Sequence, residues 1–251
     1  RPAGAQEVVD EALDILGRVR AQADDAGQHH RAGELTHRQV AVAGGQRPVR
    51  LRGGEDLVQG RGVRVHDSAA ELAHLETFDL IYRALCAILF NYVPTSGHPG
   101  GSISSGRAVA GVVFDALDYD LGDPERPDAD LVSYAAGHKA MGLYAMWALR
   151  DEVASSAAPE LLPADPARRL RLEDLLGFRR NPVTATPLFR RFRAKALDGH
   201  PTPATPFVKL STGASGVGFA SSIGLAVGAV DRYGADAPRV HIVEGEGGLT
   251  P

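Results

Sequence analysis

From Asp67-Ser68 onward, apolar positions recur with a helical period: two capping candidates precede Leu75, Phe78, Tyr82, Leu85 and Leu89 at three- and four-residue spacing. This predicts an amphipathic helix with one face on a core. A second helix is expected over 104–117. Asp130-Leu131-Val132-Ser133-Tyr134-Ala135 reads as a short buried strand that runs through Gly137 into a helix carrying Met141, Tyr144 and Trp147. Residues 151–169 mix Ala, Pro and charges, as a surface loop does, and helices are expected over 171–178 and 187–197, divided by a break at 181–186. The last third predicts a strand over 207–211, a glycine turn over 212–218, an apolar helix over 219–230 and a strand over 240–243. Strand, helix and strand in that order form a βαβ unit with parallel strands. The expected fold class is α/β, a parallel sheet flanked by helices.

Upstream of this pattern the alphabet changes. Residues 1–65 contain no Phe, Tyr, Trp, Lys, Ser, Asn, Met or Cys, and all 15 aromatic residues lie beyond position 77. A segment without large side chains has little with which to build a core, although 8–19 has the pattern of one helix. Residues 1–66 are therefore expected to be poorly ordered or non-native, with the composition of an out-of-frame or misassembled translation, and 67–251 to form the folded domain.

Charge narrows the partners. The 27 basic and 31 acidic residues leave a net charge of −4 with no basic run, so the chain lacks the electrostatic footprint of a nucleic-acid or anionic-membrane binder. No stretch approaches the roughly 18 apolar residues of a membrane span. Cys86 is the single cysteine and lies in an apolar run, which excludes an internal disulfide framework and a cysteine-rich metal site. These features give the expectation of a cytoplasmic chain with a small-molecule ligand.

Three Gly-His steps carry the candidate chemistry: Gly97-His98 in Ser-Gly-His-Pro-Gly-Gly, Gly137-His138 in Ala-Ala-Gly-His-Lys-Ala, and Gly199-His200 in Asp-Gly-His-Pro. Imidazole is poised between proton donor and acceptor near neutral pH, and a neighbouring Gly lets backbone and ligand approach closely. One such step is most simply a loop or core histidine; three in order shift the balance toward a polar site. The turn Thr212-Gly213-Ala214-Ser215-Gly216-Val217-Gly218 bears a partial likeness to the dinucleotide fingerprint of short-chain dehydrogenases, but its glycine spacing differs and only 33 residues follow it. Glu246, between Gly245 and Gly247 just past an apolar strand, is placed to reach a divalent cation while the backbone nears a phosphate; Glu244 is the competing carboxylate. Ligands of parallel sheets bind beyond the carboxyl ends of the strands, where Gly137-His138, the 212–218 turn and the 245–248 turn are all expected. His200 precedes its strand, so periodicity alone does not put it there, and His241, within a strand, is expected to pack or face solvent.

Taken in order, these motifs resemble the N-terminal, diphosphate-binding domain of transketolase from about Leu72 to Pro251. Ser96-Gly97-His98-Pro99-Gly100 is similar to the family's first histidine motif, whose His contacts the sugar. Gly137-His138 is similar to the second, near the cofactor, and Gly199-His200-Pro201 to the third, associated with substrate hydroxyls and proton transfer. Thr212-Gly213-Ala214-Ser215-Gly216 resembles the turn that holds the aminopyrimidine, and Gly245-Glu246-Gly247 the Gly-Asp-Gly that opens the thiamine-diphosphate motif. The resemblance implies thiamine diphosphate and Mg2+ as cofactors. The implied catalytic residues are His98, His138 and His200; His138, Gly213, Ala214, Ser215, Gly245 and Gly247 contact the cofactor, and Glu246 is the metal ligand. It also implies sugar phosphate substrates, a homo- or hetero-oligomer and, as partner, a pyrimidine-binding domain or subunit, without which this part alone is inactive. Two departures stand out: Glu replaces the metal-binding Asp, and the chain ends at Pro251, before the Asn that completes the motif. The E1 component of a 2-oxo acid dehydrogenase and a degenerate, non-catalytic domain of the same fold are the alternative readings.

Overall fold

A computed structural model describes residues 69–92, 98–179, 186–205, 207–214 and 216–249. The expectations for 1–66, for Ser96-Gly97, for 181–185 and for Ser215 lie outside the described residues.

The fold is helix-rich α/β around a small parallel sheet. Helix α1 spans Ala69–Tyr92, as its periodicity predicts, and buries Tyr82, Leu85, Cys86, Leu89 and Phe90. Helix α2 spans Pro99–Gly111 and starts five residues earlier than expected: Pro99 occupies the first turn, where its missing N–H leaves nothing unsatisfied. Its continuation, Val112–Ala116, widens into a π-turn closed by Leu117 N–H on the Val112 carbonyl at 3.0 Å. Strand β1 is Leu131–Ser133, and helix α3, Ala140–Ala157, follows a single 3-10 turn over Gly137–Lys139.

Helix α3 is the centre of the core. Every residue from Ala140 to Asp151 is buried, and Trp147 is ringed by Tyr119 and Phe207. Tyr82 of α1 and Ser102 of α2 both pack on Gly142 of α3. The Tyr82 hydroxyl donates to the Ser102 carbonyl at 2.7 Å, and a Cβ on Gly106 or Gly142 would lie 2.3 or 2.6 Å from the Tyr82 side chain. Both glycines are thus required by close packing rather than by backbone angle. Burial pushes the Cys86 thiol up to about 12, which leaves it inert.

The loop expected over 151–169 is helical as far as Ala157, because Arg150 and Asp151 turn inward. The Arg150 guanidinium bonds Asp151 at 2.6 Å and lies 4.2 Å from the Trp147 ring, while the Asp151 carboxylate also accepts Leu170 N–H at 2.9 Å. Downstream, 171–178 is a 3-10 helix over Leu172–Gly177, tied by buried Asp174 to Arg171 and to the Lys195 amide. Helix α4 is only Pro187–Arg191, capped by the Thr186 hydroxyl and ended as the backbone turns to φ +49° at Arg193.

Helix α5 spans Val217–Tyr233, and strand β2, Val240–Ile242, pairs parallel to β1 with Val132 opposite His241. The strand expected over 207–211 is reduced to one parallel bridge between Val208 and Val132, since Phe207 sits at φ +67° and interrupts extended backbone. Strand β1 therefore lies between the Val208 segment and β2, in the middle of the expected βαβ unit. Asp130 staples the sheet at its amino end, accepting from the Asp118 amide (3.0 Å), the Arg239 amide (2.8 Å) and guanidinium (2.9 Å), with His241 Nε2 at 3.3 Å. His241 is half-buried against the sheet, with Nε2 beside the Asp130 carboxylate. Burial raises the Asp130 pKa, but the bonds from His241, Asp118 and Arg239 outweigh it and hold the carboxyl at about 2. Among the described residues no helix is long and apolar enough to cross a membrane.

Candidate functional site

Beyond Ser133 and Ile242 the two strands stay paired: Val243 N–H donates to the Ser133 carbonyl at 2.9 Å and Ala136 N–H to the Val243 carbonyl at 3.0 Å. The Gly137-His138 and Glu244-Gly245 segments consequently leave the sheet side by side at its carboxyl end. Polar groups gather at this end because the backbone there has left the ladder and its donors face outward.

The Gly137-His138 step is fixed by what lies across from it. A Cβ on Gly137 would stand 1.9 Å from the Thr212 carbonyl oxygen, so only Gly permits the 212–213 backbone to approach. Thr212 is buried, its hydroxyl donating to the Tyr134 carbonyl at 3.3 Å. Gly218, the second residue of α5, lies against Ala135, where a Cβ would be 2.6 Å from its Cα. Gly216 precedes α5 at φ +82°, a conformation that favours glycine. Gly224 and Gly228 make no such approach: a Cβ at either would meet nothing within 4 Å.

His98 precedes α2 and is exposed; its ring stands edge-to-face with His138, centroids 4.6 Å apart at 71°. Tertiary contacts bring His200 to the same place. The Tyr144 hydroxyl, from α3, donates to the His200 carbonyl at 3.3 Å, and the His200 ring covers Gly213, where a Cβ would lie 2.8 Å from Nε2. Burial lowers the pKa of half-buried His138, His98 and Lys139 lower it further, Glu244 opposes them, and His200 adds a smaller lowering. The lowered value favours the neutral imidazole, the form that accepts a proton.

On the opposite wall, Gly245 N–H donates to the Glu244 carboxylate at 2.8 Å, and Glu246–Gly248 forms a 3-10 turn. Glu246 is exposed, whereas Glu244 folds back over Gly248 and leaves Oε2 buried without a hydrogen-bond partner. Ala214 is exposed beside Gly213. Among the described residues no three His, Cys, Asp or Glu side chains converge as a metal site. Lys139, which the sequence motifs did not single out, extends across Gly101 toward Gly245. Its signal was a lone cation set between Gly-His and an apolar run.

A polar cleft of about 880 Å³ lies at the far end of α3, lined by Asp151, Glu152, Arg169, Arg171 and Lys195, among other residues. Three of its cations are engaged within the fold: Arg169 bonds the Pro163 carbonyl, Arg171 bonds Asp174, and Lys195 bonds the Pro166, Ala167 and Arg169 carbonyls.

No family model matches the chain. Transketolase-like protein 2 of Mus musculus is 31% identical over 144 residues, 57% of this chain and 17% of that protein. The relatives are transketolases and transketolase-like proteins. Transketolase of Homo sapiens is 30% identical over 156 residues, 62% of this chain and 20% of its own length. One subunit of the apulose-4-phosphate transketolase of Actinobacillus succinogenes is 27% identical over 157 residues, 62% of this chain and 46% of its own length. The chain thus spans less than half the length of each of these transketolase relatives.

Proposed function

We propose that this chain is the diphosphate-binding part of a thiamine-diphosphate-dependent, transketolase-like transferase. It would move a two-carbon ketol unit from a ketose to an aldose together with a pyrimidine-binding domain or subunit. The observation that carries this reading is the meeting of His98, His138 and His200 with the Gly213 and Gly245 backbones at the carboxyl end of the sheet. The transketolase relatives favour it over the E1 component of a 2-oxo acid dehydrogenase. A relative named as one subunit of a transketolase supports a two-chain arrangement.

The residues fit the organic cofactor. The Gly245 backbone is open, a Cβ there meeting only Lys139 Nζ at 3.6 Å, and the orphaned Glu244 Oε2 awaits a donor, whereas Gly137 and Gly213 serve to seat the Thr212 carbonyl and the His200 ring. In this reading His138, Gly213, Ala214, Ser215, Gly245 and Gly247 hold the cofactor, which supplies carbanion stabilisation when bound. His98, exposed at the mouth, orients a sugar-phosphate hydroxyl, and neutral His138 accepts a proton. His200, held by Tyr144, positions the substrate from the opposite side. The fit to Mg2+ is poorer, because exposed Glu246 stands without a converging ligand set.

The test is calorimetric titration of thiamine diphosphate with magnesium into the complete reading frame mixed with its co-encoded pyrimidine-domain partner, followed by ketose-to-aldose transfer. Saturable binding and transfer are expected. A folded complex that binds no cofactor overturns the reading and leaves a non-catalytic domain of the same fold, while decarboxylation of a 2-oxo acid without ketol transfer points to the E1 class.

A further inference from the structure

We propose that Lys139 is the cation that holds the diphosphate end of the cofactor; this rests on the thiamine-diphosphate reading above. The chain has three lysines, and two are satisfied within the fold: Lys195 donates to three backbone carbonyls and Lys209 pairs with Glu125 at 3.0 Å. Half-buried Lys139 makes no side-chain hydrogen bond or ion pair among the described residues. Its position is nonetheless defined. The aliphatic stem lies over Gly101 in the first turn of α2, where a Cβ would be 3.1 Å from Cγ, Cδ and Cε, and Nζ ends 3.6 Å from where a Cβ on Gly245 would stand. Packing the stem while aiming the ammonium at a glycine turn is what an anion-binding lysine requires.

A second observation comes from the opposite wall. Glu244 is the carboxylate that acts on His138, on which His98, Lys139 and His200 also act; one of its oxygens is taken by the Gly245 amide and the other is buried and unpartnered. That buried carboxylate oxygen is a spare acceptor, so an anion beside Gly245 needs a cation to offset it, and among the described residues Lys139 Nζ is the cationic group that reaches the Gly245 backbone. The start of α5 adjoins the same turn, with a Cβ on Gly216 lying 3.5 Å from the Gly248 carbonyl oxygen, and adds the positive end of a 17-residue helix. A diphosphate would accept from the ammonium and from the backbone N–H groups at the start of α5.

The experiment titrates thiamine diphosphate, thiamine and inorganic pyrophosphate into the complete reading frame mixed with its pyrimidine-domain partner and into the same complex carrying Lys139→Met or Lys139→Arg, each with magnesium and with chelator, after circular dichroism has verified folding. Lys139→Met is expected to weaken thiamine diphosphate and pyrophosphate by roughly ten- to a hundredfold, the scale of a lost charge-assisted hydrogen bond, and to leave thiamine unchanged. Lys139→Arg retains most of the affinity, and chelator leaves a diphosphate preference in the wild-type chain that Lys139→Met lacks. Thiamine diphosphate binding that is tighter than thiamine yet indifferent to Lys139→Met overturns the role of Lys139 and leaves the cofactor reading standing. Lys139-dependent pyrophosphate binding with no added affinity for thiamine diphosphate overturns the cofactor reading and keeps Lys139 as an anion holder. No binding to the folded complex overturns both.

Discussion

Helices α3 and α5 are both rich in apolar residues, yet they are used in opposite ways. Along α3 every side chain from Ala140 to Asp151 is buried, charges included. Along α5 the buried residues are Gly218, Ser222 and Ala229, while Val217, Val227 and Val230 are each more than half exposed. The inward face of α5 is made of small groups because it must come close to β1: Gly218 lies on Ala135, and the Ser222 hydroxyl bonds Ser133 and the Gly218 carbonyl. Helix α3 fills volume, whereas α5 closes distance. That proximity sets the glycine turn at 212–218 against His138.

The contrast breaks most readily in α3. Trp147→Ala is expected to cost about 3–5 kcal/mol in urea unfolding, since it removes a fully buried indole from between Tyr119, Phe207 and Arg150. Arg150→Ala is expected to cost a similar ~3–5 kcal/mol, because it strands the buried Asp151 carboxylate; a loss under ~1 kcal/mol would mean that the pair does not organise this end of α3.

Gly218→Ala comes next, at about 1–3 kcal/mol, by forcing α5 away from Ala135. Its signature is a shift of the His138 ring resonances by NMR, which a change confined to α5 would not produce. Asp130→Asn weakens the sheet on which both the turn and the strands depend. In the wild-type chain the Asp130 contribution is fully present above its unfolded pKa of about 3.9 and is lost as pH falls through the folded value of about 2, so acid unfolding should begin below about pH 4 and this component should vanish in Asp130→Asn. The smallest effect sharpens the comparison from the other side: Val227→Ser, on the outer face of α5, is expected to change unfolding free energy by no more than about 0.5 kcal/mol, and a loss on the scale of Trp147→Ala would show that this face is covered.

The sequence made much of this legible. Helix α1 followed from the spacing of Phe78, Tyr82, Leu85 and Leu89, and β1 and β2 from short apolar runs flanked by turn residues. Three motifs at the carboxyl end of the sheet could be placed by the general rule for parallel strands. What escaped depended on partners distant in the chain. The inward turn of Arg150-Asp151, which carries α3 into an expected loop, needs Leu170; the collapse of the 207–211 strand to one bridge depends on the backbone at Phe207; the shortness of α4 depends on Arg193. In the site, Glu246 stood out because it lies between glycines, but the buried carboxylate oxygen belongs to Glu244, one pleat earlier.

By itself the sequence singled out the candidate residues, because a glycine beside a histidine lets backbone and ligand approach an imidazole, and it determined the parallel sheet, because period and turn chemistry are local. Only the tertiary structure decided that His200 joins His98 and His138, since that rests on Tyr144 of α3 gripping a carbonyl 56 residues away, and that Lys139 reaches Gly245 across Gly101. Local periodicity fixes where a side chain leaves its own helix or strand; where that side chain ends is set by the packing of the whole core.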